Sequence, residues 1–293
     1  MQRRFYIDYE NTPFPQTGKI KLETQPYRLN WRCEILLTRN QEAIEGKRIL
    51  DLASHDGMFS YACLKLGASH VTGVEGRENL VKSAIDNLTG LGYTQEHFSF
   101  IQDDVFNYLA RVKPKEFDTI LCLGIFYHTI RQIELLREIK RIQPTHIILD
   151  TYIQRGTFIH PFFFHPYKSP FYFHPFNLLK LIARVRLRHF SQIPATLKEV
   201  KRTLGYEPLS PGYVEQGGPC LIFRHESHDD EWATIDPIDL SAWPTKSFIE
   251  MIFNSNNFSL KQLNWDKKEI KNWTTIEDYK YGNRISYIAQ PFE

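Results

Sequence analysis

Tyr127 and His128 close the run FDTILCLGIFYH, in which an apolar strand delivers two polar rings to its carboxyl end. An imidazole suits proton exchange near neutral pH, and a phenol can hydrogen-bond a substrate. Glu75 ends a second apolar stretch, HVTGVEG. A carboxylate at such a strand end can accept both hydroxyls of a ribose. Upstream of both, KRILDLA carries Asp51 and runs into the turn Ser54-His55-Asp56-Gly57. Small residues there let a nucleoside lie against backbone and a helix N-terminus. Asp51, Ala53, Ser54, His55 and Gly57 are therefore candidate ligand contacts, with Glu75, Gly76 and Arg77 beside them. No G-x-G-x-x-G is present, so there is no pyrophosphate cradle, which argues against a dinucleotide. A nucleoside without phosphate fits better.

These groups need a parallel sheet to bring them together. Phe59, Ala62, Cys63 and Leu66 recur at helical spacing and stop at Gly67. Residues 47–77 thus read as a βαβ unit with its ligand at the carboxyl ends of the strands. A helix follows with Leu80, Val81, Ala84, Ile85 and Leu88 inward, then a strand over 98–102 ending on Asp103-Asp104-Val105. Two adjacent aspartates there suit a helix N-cap as well as a ligand contact. The strand FDTILCLG delivers Leu123 and Gly124 to the same edge. A helix with Ile133, Leu136 and Ile139 inward leads to the strand HIILDTY, which ends on Asp150, a second candidate base. Upstream, YRLNWRCEILL reads as a helix with Leu29, Cys33, Leu36 and Leu37 on one face and Arg28 and Arg32 on another stripe.

Residues 153–235 change character. Their first part is crowded with aromatic residues, prolines and histidines, too apolar for a disordered linker, and reads as a lid over the sheet edge. Phe163, His165 and Tyr172 are its candidate substrate contacts. GPCLIFRHE reads as a strand of the same cap. Arg184, Arg186, Arg188, Lys198, Lys201 and Arg202 form the one basic concentration. A helix from Thr245, with Phe248, Ile249, Ile252 and Phe253 inward, precedes two closing strands that suggest an antiparallel pair. The expected division is 1–45 as a ligand-closing segment, 46–152 as core, 153–235 as lid and 236–293 as completion of the core.

The 293 residues, 42% hydrophobic, suffice for one large core with a cap. A net charge of +2 implies no global pull toward nucleic acid. The four cysteines form no CxxC pair, so reduced thiols and a cytoplasmic protein are expected, with no metal. MQRRFYIDYE lacks an apolar signal region, and no uninterrupted apolar span suggests a membrane helix.

In order, DLASHDGMFS, GVEGR, QDDVF and FDTILCLGIFYH resemble the four motifs of class I S-adenosylmethionine-dependent methyltransferases. The Tyr127-His128 pair also resembles the tRNA wobble-uridine carboxymethyltransferases and their small-molecule relatives. The usual glycine-rich first turn is here Ser54-His55-Asp56-Gly57. The resemblance implies a Rossmann-like α/β fold, a mostly parallel seven-stranded sheet with an antiparallel C-terminal hairpin, plus the inserted cap. It implies S-adenosylmethionine as cofactor and S-adenosylhomocysteine as product. It also implies that Arg32 pairs the methionine carboxylate, against a solvated arginine stripe, and that Asp103 or Asp104 accepts the adenine amino group near Val105. The expected activity is O- or N-methylation of a small molecule with His128 and Tyr127 at the acceptor. A tRNA-modifying transferase and a non-catalytic nucleoside-binding module are the alternatives, and a homodimer is carried as an expectation.

Overall fold

The computed structural model describes residues 5–17, 22–154, 219–226, 235 and 240–292. Among them, β1 spans Arg48–Leu52, β2 His70–Glu75, β3 Phe98–Gln102, β4 Thr119–Leu123, β5 His146–Tyr152, β6 Leu221–His225, β7 Leu240–Pro244, β8 Phe258–Gln262 and β9 Arg284–Pro291. The helices are α1 Phe14–Thr17, α2 Pro26–Leu36, α3 Met58–Lys65, α4 Glu78–Gly90, α5 Val105–Arg111, α6 Gln132–Ile142, α7 Lys246–Ser255 and α8 Glu277–Lys280. A seven-stranded sheet runs β3-β2-β1-β4-β5-β9-β8, and β6 pairs β7 in a separate ribbon. Only β9 is reversed in the large sheet, antiparallel to both β5 and β8. This is the Rossmann-like methyltransferase architecture expected from the motif order.

Both faces of the sheet are covered, as parallel strands require. Successive strand residues alternate between two apolar layers: Ile49, Leu121 and Ile148 enter one, Leu50, Ile120 and Ile147 the other. The first layer holds α2 and α3, the second α5, α6 and α7. No helix among the described residues is long and apolar enough to cross a membrane.

One expected helix face is corrected. In α6 the buried residues are Leu135, Leu136, Ile139 and Ile142, while Ile133 is exposed. Gln132 sets that phase. Its buried amide donates to the Phe126, Thr129 and Ala242 carbonyls, which turns the next residue outward. GPCLIFRHE does form a strand, but its partner β7, in LSAWP, has no signal in the sequence reading. Most of the expected lid lies outside the described residues, and so do Phe163, His165 and Tyr172.

Candidate active site

The turn after β1 keeps a glycine-like backbone without glycine's composition. Ala53 and His55 both sit at φ 54°, and Gly57 at φ 85° opens α3. A left-handed conformation costs a side-chain-bearing residue roughly 1–2 kcal/mol, so the surrounding contacts must hold it. Ser54 can pack there because Gly73 of β2 lacks a side chain. A Cβ at 73 would lie 2.7 Å from Ser54 Oγ and 2.4 Å from Phe100.

Glu75 ties the turn to β2. Its buried carboxylate accepts the His55 N–H at Oε2 (3.0 Å) and the Arg77 N–H and Nε–H at Oε1 (3.1 and 2.8 Å). The half-exposed Arg77 guanidinium contributes a partly solvated bond that another donor can replace at small cost.

Asp51 is buried and accepts the Ser60 hydroxyl at 2.7 Å. Burial pushes its carboxyl up to about 7; the Ser60 bond opposes this and the Glu75 charge adds to it. A folded-state value above the unfolded one means stability that is full at low pH and lost as pH rises through about 7. Asp51→Asn should therefore raise Tm by more at pH 8 than at pH 4. Thermal unfolding at the two values tests this, and equal shifts would contradict it.

Asp150, fully buried at the end of β5, collects four donors. Arg32 Nη2 (2.9 Å), Arg284 Nε (2.8 Å) and Tyr279 OH (2.9 Å) meet Oδ2, and Ser286 Oγ (2.7 Å) meets Oδ1. Burial alone would raise its pKa, but the Arg284 and Arg32 charges with the Ser286 and Tyr279 bonds bring it to about 2. Glu23 bridges Arg28 (2.8 Å) and Arg32 (3.0 Å), and Arg28 continues to Asp278 (2.8 Å). Three arginines and three carboxylates are thus interlocked beneath the site. Such an Asp150 is a poor proton acceptor; its geometry suits holding Arg32 and Arg284 in place.

Tyr127 and His128 follow β4 in a loop fastened by Gln132. Their rings lie 4.1 Å apart, and Tyr127 also meets Tyr152 (5.0 Å) and Trp243 (5.7 Å) edge-on. His128 Nδ1 lies 2.9 Å from Glu226 Oε2. Asp104 caps α5 by accepting the Asn107 N–H at 2.9 Å, with Val105 buried as the first helical residue. Asp103 pairs with Arg111.

A cavity of about 150 Å³ joins these parts. Of the sequence-predicted contacts, Arg32, Asp51, Ala53, Ser54, His55, Arg77, Leu123, Gly124, Tyr127 and His128 line it. Gly57, Glu75, Gly76, Asp103, Asp104, Val105 and Asp150 are not in its wall. Arg284 and Glu23 are in the wall and had no signal in the sequence. Ser54 Oγ, Arg32 Nε and Arg284 Nη1 are buried without a hydrogen-bond partner among the described residues, although Arg284 Nη1 lies 3.6 Å from Glu23. Unmatched buried polar atoms cost about 1–3 kcal/mol each. A ligand with an anionic end would supply acceptors where these donors are stranded.

A methyltransferase domain model matches residues 44–155. The tRNA U34 carboxymethyltransferase of Nautilia profundicola is 33% identical over 122 residues, 39% of this chain and 37% of that one. The protein of the same name from Idiomarina loihiensis is 26% identical over 149 residues, 49% of this chain and 44% of that one. The chain therefore spans less than half the length of these curated relatives. Among solved structures, the N-terminal domain of EvdMO1 with S-adenosylhomocysteine bound superposes with a TM-score of 0.51 at 16% identity, covering 87% of this chain and 79% of that one. A protein of Listeria monocytogenes assigned as an S-adenosylmethionine dependent methyltransferase gives 0.53 at 10% identity, covering 90% and 98%. Both share the fold.

Proposed function

We propose, from the premise that residues 44–155 are a class I S-adenosylmethionine-dependent methyltransferase domain, that the chain methylates a small-molecule acceptor held at Tyr127 and His128. The observation that carries this reading is a single cavity lined both by stranded donors and by the Tyr127-His128 pair. When bound, the cofactor supplies an electrophilic carbon on a sulfonium centre. Glu75 offers its carboxylate to the ribose diol, with the Arg77 guanidinium giving way at Oε1. Arg32 and Arg284 offer N–H groups to the amino-acid carboxylate. Asp104 is committed to capping α5, which leaves Asp103 as the acid for the adenine amino group. Tyr127, Tyr152 and Trp243 form an aromatic wall beside His128, suited to orienting a compact acceptor and excluding water.

A second reading is carboxymethyl transfer to a tRNA wobble uridine, after the names of the curated relatives. One observation favours it: the guanidinium of Arg284 lies over the Tyr127 ring at 5.9 Å, and an acidic transferred group needs a cation there. Two donors separate the readings in a producer-cell extract: S-adenosylmethionine labelled on its methyl, and the same sulfonium bearing a labelled carboxymethyl group in place of the methyl. Label entering metabolites from the methyl donor supports the first reading, and label entering only RNA, from the carboxymethyl donor, overturns it.

The cofactor assignment has its own test. Glu75→Ala should weaken S-adenosylhomocysteine binding by more than about tenfold, the worth of one charge-assisted contact of roughly 1.5–3 kcal/mol. Unchanged affinity by calorimetry in a folded variant would sink the ribose assignment.

A further inference from the structure

We infer that the acceptor met by Tyr127 carries no positive charge, because two of the chain's own guanidinium groups, Arg284 and Arg224, already lie over the aromatic rings that a cationic acceptor would use. The inference rests on the methyltransferase reading and narrows its acceptor to a neutral or anionic compound.

An aromatic wall suits cations, since the face of a phenol or indole ring attracts an ammonium group within about 6 Å of its centre. Here guanidinium groups hold those positions. Arg284 lies over Tyr152 at 4.8 Å and over Tyr127 at 5.9 Å, and Arg224 lies over Trp243 at 3.7 Å. Tyr152 and Trp243 themselves stack, with centroids 5.2 Å apart and planes at 23°, which leaves no layer between them for a ligand. The rings are also held in place. The Tyr152 hydroxyl donates to Asp278 Oδ2 (3.1 Å), and Asp278 is paired with Arg28. Arg284 is anchored through Nε to Asp150 (2.8 Å). Arg224 Nη2 donates to Gln154 Oε1 (3.1 Å), an amide that does not cancel its charge.

The carboxylates in the cavity wall are engaged, Glu23 by Arg28 and Arg32, and Asp51 by Ser60. Glu226, outside that wall, lies 2.9 Å from His128 Nδ1. Burial pushes the Tyr127 phenol above its usual range, so that ring stays neutral. A cationic acceptor would thus meet two fixed like charges in addition to the sulfonium. Such repulsion is how a site rejects a competitor of the wrong charge. A neutral hydroxyl compound or a carboxylate meets no such penalty.

Two measurements on the full chain test this. Arg284 belongs to the buried ionic network, so the variant is made at the exposed Arg224. Protein labelled with 15N-tryptophan, without cofactor, is titrated with tetramethylammonium chloride and with potassium chloride at equal concentration. Trp243→Phe identifies the Trp243 indole signal. Wild type should give the same Trp243 signal in both salts, whereas Arg224→Ala, with the ring uncovered, should shift in tetramethylammonium alone. A shift in wild type overturns the inference. So does its absence from both proteins, because the guanidinium would then not be what keeps cations away. For the acceptor itself, an RNA-free small-molecule extract of the producer cell is divided on a strong cation exchanger at neutral pH. Each fraction receives enzyme and methyl-labelled S-adenosylmethionine. Transfer should favour the unretained neutral and anionic compounds by more than about tenfold, the scale of one like-charge contact. Transfer mainly into the retained cations overturns the inference. Absence of transfer in both fractions, with failure to bind S-adenosylhomocysteine, strikes the methyltransferase reading instead, and the ligand-free titration still decides whether the wall refuses cations.

Discussion

Replacing His128 by alanine is expected to lower kcat about 10²–10⁴-fold for a hydroxyl acceptor, with little change in S-adenosylhomocysteine affinity. The ring lies against Tyr127 at 4.1 Å and lines the cavity, so its removal takes away the proposed proton acceptor and leaves Arg32 and Arg284 in place. The ascending limb of the kcat–pH profile should disappear with it. Full kcat with the limb retained would make His128 structural.

Asp150→Ala should destabilise the fold by about 3–5 kcal/mol, the cost of breaking one member out of a buried ionic network. Arg32 and Arg284 would be left beside each other in the interior, both buried and both charged. Asp150→Asn should be milder, since the amide oxygen still accepts one donor. The effect depends on pH in a defined direction. Glu23 and Asp150 are both held at about 2: burial would raise each, and the surrounding arginines overcome it. Groups depressed in the fold contribute stability above their ordinary carboxylate range and lose it as pH falls toward their folded values. Urea unfolding should therefore show a wide gap between wild type and Asp150→Asn at pH 7 that narrows between about pH 4.5 and 2. A gap of constant width would mean that the network contributes by packing and not by charge.

The sequence made the parallel half readable because its signals are local. Hydrophobic period, strand ends and Glu75 all fall within a few residues of one another, and β1, α3 and β2 stand where the pattern in residues 47–77 puts them. The turn was legible by position but not by composition. Ala53 and His55 take the left-handed backbone that glycine usually supplies, held there by the Glu75 bond and by the space at Gly73. Residues meeting across long separations were invisible. Arg284 reaches Asp150 from 134 positions away, and Glu226 reaches His128 from 98. Neither carries a periodicity or motif of its own, and Glu226 sits in a run of acids and histidines that reads as a polar loop. Trp243 stands two residues before the helix that starts from Thr245 and carries no strand signal, yet it lies in β7, whose partner begins some twenty residues earlier. Ile133 shows a smaller failure: Leu136 and Ile139 are buried as expected, but Ile133 faces outward beside the buried Gln132 amide.

The position of β9 has a consequence for how the protein is made. The ribosome releases β1 to β5 first, and β5 then borders the growing sheet with one side unpaired. Its sequence, HIILDTY, is the kind of apolar edge that recruits other chains. Asp150 emerges on that edge with Arg32 already synthesised but with Tyr279, Arg284 and Ser286 still to come. Closure waits for β9, the last strand among the described residues and the second from the sheet's border. The interval between release of Tyr152 and docking of β9 is thus the nascent protein's exposure to misassociation, and the stage at which a chaperone would protect it.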